Sequence, residues 1–72
     1  MVLGQLKQLL IDRYGCDDED ITLATSLDEL NLYPHDLEEI AFLLGEQCGV
    51  DLPAETISAW EFVEDIVASF ED

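Results

Sequence analysis

Pro34-His35-Asp36-Leu37-Glu38-Glu39-Ile40-Ala41-Phe42-Leu43-Leu44-Gly45-Glu46-Gln47-Cys48-Gly49 carries the clearest structural pattern in this 72-residue chain. At about 100° per residue, Leu37, Ile40, Ala41, Leu43, Leu44 and Cys48 share one face, and Glu38, Glu39 and Glu46 cover the other. Proline suits the first turn of a helix, where its missing N–H would be unpaired anyway. Asp36, Glu38 and Glu39 lie in or near that turn, where the helix dipole favours negative charge. Glycine can take the left-handed conformation that closes a helix, so Gly49 ends it. The stretch predicts an amphipathic helix from about Pro34 to Cys48. Phe42 breaks the pattern, because its angle places an aromatic ring on the acidic face between Glu38, Glu39 and Glu46.

The same periodicity extends in both directions. Upstream, Val2, Leu3, Leu6, Leu9, Leu10 and Tyr14 fall within an arc of roughly 140°, and Gly15 follows as a stop signal, which predicts a helix over residues 2 to 14. Residues 16 to 33 form a connection too long to be structureless in a compact domain. Ile21, Leu23, Leu27, Leu30 and Leu32 are expected to tie it to the core, with a short helical turn near Leu27 to Leu30. Downstream, Val50-Asp51-Leu52-Pro53 reads as a turn and residues 54 to 70 read as helical. Phe62, Val63, Ile66, Val67 and Phe70 lie opposite Glu61, Glu64 and Asp65. Ser58 and Glu61 have capping-box spacing, so the last helix is expected to start between residues 58 and 62. The expected fold is all-α, one domain over residues 1 to 72, with three main helices and a short helix before the last.

Charge limits the possible functions. There are 18 acidic side chains against 2 basic ones, a formal charge of −16. Only Asp12 among the acids precedes Arg13, so residues 14 to 72 hold 17 acids and no Lys or Arg. Such a chain does not suit phosphate backbones and calls for a basic protein surface as its partner. An apolar content of 49% is too high for a disordered acidic tail. Apolar runs such as Leu9 to Ile11 and Ala41 to Leu44, the latter extended to five residues by Ile40, are too short for a membrane span, and no secretory signal opens the chain. A cytoplasmic monomer with no membrane or nucleic-acid partner is the simplest expectation.

Tests for chemistry return little. Cys16 and Cys48 are expected to be small buried apolar residues rather than a disulfide framework. The acidic run Asp17 to Asp20 does not continue as a calcium loop, since the required glycine and bidentate glutamate positions hold Thr22 and Asp28. With one histidine, two cysteines and no glycine-rich loop there is no triad, zinc spacing or phosphate cradle. His35 is expected to be an exposed first-turn residue, and the chain is not expected to be an enzyme.

From about Leu6 to Phe70 the order of these pieces resembles the acyl carrier protein family. Tyr14-Gly15-Cys16-Asp17-Asp18-Glu19-Asp20-Ile21-Thr22 resembles the acidic segment closing the family's first helix. Thr25-Ser26-Leu27-Asp28-Glu29-Leu30 is similar to the segment before the prosthetic-group site. Asp36 and Glu39-Ile40 fit the start of the second helix, Asp51-Leu52-Pro53 the turn after it, and Val63-Glu64-Asp65-Ile66-Val67 the last helix. The resemblance implies a serine at the start of helix two that receives 4′-phosphopantetheine. In register this chain reads Tyr33-Pro34-His35, so Pro34 stands at that position with no hydroxyl and no N–H, and no bound 4′-phosphopantetheine is expected. Ser26 matches a different, unmodified serine of the family. Glu61-Phe62 replaces a threonine the family often has, which suggests that the short third helix runs straight into the fourth. Glu38 replaces a usually apolar residue, while Phe42 fits a position where carriers show an apolar residue to partner enzymes.

The resulting expectation is a carrier-like module without its attachment point, docking through Asp36, Glu38, Glu39, Phe42 and Glu46 onto a basic surface. A carrier-dependent synthase, a transferase or a regulator could supply that surface. Two other readings are a working carrier, modified at an unconventional residue or holding cargo noncovalently in its core, and an acidic decoy that imitates nucleic acid. The decoy reading requires acids spread along an extended face.

Overall fold

Four helices follow one another in chain order: α1 (Val2–Tyr14), α2 (Pro34–Cys48), α3 (Ala54–Ser58) and α4 (Val63–Phe70), with a 3-10 turn at Asp18–Asp20. They are taken from a computed structural model that describes residues 2–71, and the described residues form no β-strand. The fold is thus the small all-α bundle of three main helices and one short helix that the periodicity predicts. Its principal extents are 28 × 21 × 20 Å.

The apolar faces converge as their spacing requires, except at Phe62, which precedes α4 and is 40% exposed. Leu6 and Leu10 of α1, Ile40 and Leu44 of α2, Val63 and Ile66 of α4, and Ile21 of the long connection are the most fully buried side chains. Burying side chains of this kind contributes about 1.5–3 kcal/mol each. Both main stop signals are used. Gly15 and Gly49 have φ of +68° and +72°, a region that costs side chains with a Cβ. At the end of α2 the amides of Gly49 and Val50 both donate to the carbonyl of Gly45, at 2.8 and 3.0 Å. At the start of α2, Pro34 occupies the first turn and Asp36 Oδ2 accepts the Tyr33 amide at 3.0 Å.

Residues 16 to 33 are anchored to the core, though not wholly as expected. Ile21, Leu27 and Leu32 are buried, and three successive i→i−3 amide bonds over residues 26 to 31 make the expected short turn. Leu23 instead is 46% exposed. Its backbone does the anchoring, since its carbonyl accepts the Glu64 amide at 3.1 Å. The buried Thr25 adds a second pin. Its hydroxyl donates to the Asp20 carbonyl at 2.8 Å and accepts the Thr22 amide at 3.1 Å.

The junction between α3 and α4 corrects two expectations. Ser58 does not cap α4. It is the last residue of α3, and its hydroxyl donates back to the Ala54 carbonyl at 2.9 Å. Nor does α3 run on into α4, which begins at Val63. Between them the chain extends and pairs with the long connection in a single antiparallel bridge, Ser26 with Phe62. The Leu27 amide donates to Glu61 and the Val63 amide to Thr25, both at 2.9 Å. Asp65 reaches back to cap α4 by accepting the Glu61 and Phe62 amides, each at 2.9 Å. The cysteines also depart from expectation: both are free and half-buried rather than buried. Burial, then Asp17 and Asp20, push the Cys16 thiol above its ordinary pKa, which disfavours the reactive thiolate.

Candidate functional site

Glu38, Phe42 and Glu46 lie four residues apart and form one line along α2. All three are exposed, Phe42 at 65%, so its ring does not fold back into the core. This is the highest exposure among the large apolar side chains of the described residues.

The other two residues expected at this surface are engaged within the fold. Glu39 lies on the α1 side of the line. One of its carboxylate oxygens meets Arg13 Nη1 at 3.5 Å and the other accepts the Tyr14 hydroxyl at 3.1 Å. Burial and the neighbouring Glu39 push the Tyr14 hydroxyl up to about 12, because both disfavour a phenolate. Glu39 remains about half accessible, so it can still contribute to the potential over this face. Asp36 is only 16% accessible and holds the Tyr33 amide, which makes it a helix cap first. Its other oxygen lies 3.3 Å from His35 Nε2, and the His35 ring is itself exposed as expected.

Both lysine and arginine side chains are occupied away from the Phe42 line's outer edge. Lys7 pairs with Asp18 at 3.3 Å, joining α1 to the 3-10 turn, and Arg13 pairs with Glu39. Glu38 and Glu46 form no ion pair within the described residues.

The start of α2 borders a second feature that sequence reasoning did not identify. A groove of about 610 Å³, partly open to solvent, lies between the first turns of α2, the turn at Leu27 and the α3–α4 junction. Pro34, Leu37, Ile57 and Trp60 line it, with Asp28, Glu38 and Glu61 among the polar residues around it. Trp60 is buried and held in place. Its indole N–H donates to Ser69 Oγ at 2.9 Å, the Ser69 hydroxyl donates to the Asp65 carbonyl at 2.9 Å, and its ring packs tilted against Phe70 at 6.3 Å. Trp60 falls outside the apolar stripe of α4, and the groove's three lining segments are far apart in sequence. Only the presence of a lone tryptophan could have hinted at it.

Among the described residues no group of three or more His, Cys, Asp or Glu side chains is placed to hold a metal ion. No helix among them is long and apolar enough to cross a membrane. A scan against models of known protein families finds no match for the chain.

Proposed function

We propose that this protein is a docking module of acyl-carrier-like build that presents α2 to a basic protein surface and carries no phosphopantetheine arm. The observation that carries this reading is Phe42, a largely exposed aromatic ring between two exposed glutamates on one line of α2. An exposed aromatic forfeits about 2 kcal/mol of burial, and a partner can recover that by covering it. Glu38, Glu46 and the accessible part of Glu39 form the acidic rim that steers a basic partner, while Asp36 supports the helix start from behind. Partners of the carrier-dependent class, a synthase or transferase, fit the resemblance and the charge. The chain is proposed to act as a cytoplasmic monomer rather than as an enzyme.

Pro34 supports the absence of the arm. A phosphodiester needs a hydroxyl nucleophile, and the first turn of α2 has proline at the position that the resemblance assigns to the serine. Near-equal extents of 28 × 21 × 20 Å leave little length for an extended acidic face, which weighs against the decoy reading. Incubation with coenzyme A and a broad-specificity phosphopantetheinyl transferase tests the armless reading by intact mass. The expected result is an unchanged mass, and a phosphopantetheine adduct on any residue would overturn it.

A further inference from the structure

The groove beside Pro34 is built differently from the Phe42 line. Its walls are apolar, with Leu27 and Leu32 from the connection, Leu37 from α2 and Ile57 and Trp60 from around α3. Its exposed polar residues include three carboxylates, Asp28, Glu38 and Glu61. Neither of the chain's two Lys and Arg side chains lines it, and each is paired elsewhere, with Asp18 and with Glu39. An apolar floor under an uncompensated acidic rim selects against fatty acids and other anionic aliphatics, because their head groups would sit among like charges. It favours an apolar body flanked by cations. The volume, about 610 Å³, lies within the range of sites that enclose drug-sized bodies, and exceeds what one isolated side chain fills.

We propose that this groove receives a pair of apolar side chains that a partner protein presents between arginine or lysine residues, which pair with Asp28, Glu38 and Glu61. The proposal rests on the basic partner inferred above and adds a second contact point to it. Glu38 joins the two, since it lines the groove and lies one turn before Phe42 on α2. The partner segment fills a cavity in this protein at the groove, while at Phe42 this protein fills a cavity in the partner. The two contacts together fix the register of docking along α2.

Trp60 makes the groove directly observable, because it is the only tryptophan in the chain and it lines the groove. The probe is an acetylated, amidated hexapeptide with two central leucines between arginine pairs. Its control has two central serines in the same positions. Titrated at about 150 mM salt, where attraction beyond about 8 Å is largely screened and direct ion pairs persist, the leucine peptide should shift Trp60 emission saturably and bind about tenfold or more tighter than the serine peptide. The doubly substituted Glu38→Lys, Glu61→Lys protein, altered only at exposed positions, should keep its helical circular dichroism and bind the leucine peptide about tenfold or more weaker. Equal binding of the two peptides, a silent Trp60, or an unaffected charge-reversed protein would each overturn the proposal. Tighter binding of dodecanoate than of the leucine peptide would also overturn it, since the groove would then be an anionic aliphatic site. Phe42 does not line the groove, so a silent Trp60 leaves docking through Phe42 to its own, separate test.

Discussion

Replacing Gly45 with alanine sets two effects of opposite sign against each other, and the structure decides between them. In a helix interior alanine is favoured over glycine by about 1 kcal/mol, so propensity alone predicts a gain. A Cβ on residue 45 would, however, lie 2.5 Å from the Val50 carbonyl oxygen, where ordinary contact begins at 3.4 Å. The obstacle is backbone and has no rotamer to escape into. Val50 would have to retreat by about 0.9 Å, the difference between those distances, as overpacked sites do at a cost of about 1–3 kcal/mol. That retreat also strains the bonds from the Gly49 and Val50 amides to the Gly45 carbonyl, each worth about 1 kcal/mol. The net expectation is a loss of about 1–3 kcal/mol, or a Tm lower by about 5–20 °C for a domain of this size. Gly4→Ala is the control, since no atom lies within 4 Å of a Cβ there, and it should hold or raise Tm slightly. Thermal unfolding followed by circular dichroism reads both. A Gly45→Ala protein as stable as the wild type would refute the close approach of Val50 and, with it, the described turn from α2 into α3.

Two further outcomes follow from the charges. The chain carries a formal charge of −16 and its described residues have principal extents of 28 × 21 × 20 Å, comparable with the Debye length of about 30 Å at 10 mM salt and well above the value of below about 10 Å at 200 mM. Tm should therefore rise with salt over that interval, and a flat profile would mean that the acids are spaced widely enough not to repel. Tyr14 gives a pH dependence of definite sign. Its hydroxyl titrates at about 12 in the fold against about 10 unfolded, so the stability it contributes is intact below pH 10 and lost as pH rises through 12. Tyr14→Phe should flatten the fall in stability over that window as measured by urea unfolding, and an equally steep fall would remove Tyr14 as its source.

The parts of the fold that were legible in the sequence are those whose signals lie within one element. Pro34, Gly15 and Gly49 mark helix ends through their own backbone chemistry, and the apolar faces of α1, α2 and α4 reach the core as spaced, with Phe62 left exposed ahead of α4. The α3–α4 junction was not legible because its cap runs backwards. Phe62 has no capping oxygen, and Asp65 supplies it from inside the helix, while Ser58 turns its hydroxyl onto α3. Leu23 departs from its expected burial because a backbone carbonyl, not a side chain, fastens that part of the connection. At the candidate site, the exposure of Phe42, Glu38 and Glu46 followed from helical angle alone. The capping role of Asp36 and the tie from Glu39 to Arg13 and Tyr14 depend on where α1 packs, and the groove depends on three segments meeting.

Phe42 is where the proposed docking function meets its most direct test. With a basic protein partner isolated and purified, its affinity for the wild-type chain and for Phe42→Ala should differ by about 1–2 kcal/mol or more, roughly tenfold or beyond, chiefly through faster dissociation. The two proteins should unfold at nearly the same temperature, because the ring is 65% exposed and contributes little to the core. Equal affinity of the two proteins for that partner would contradict docking through α2.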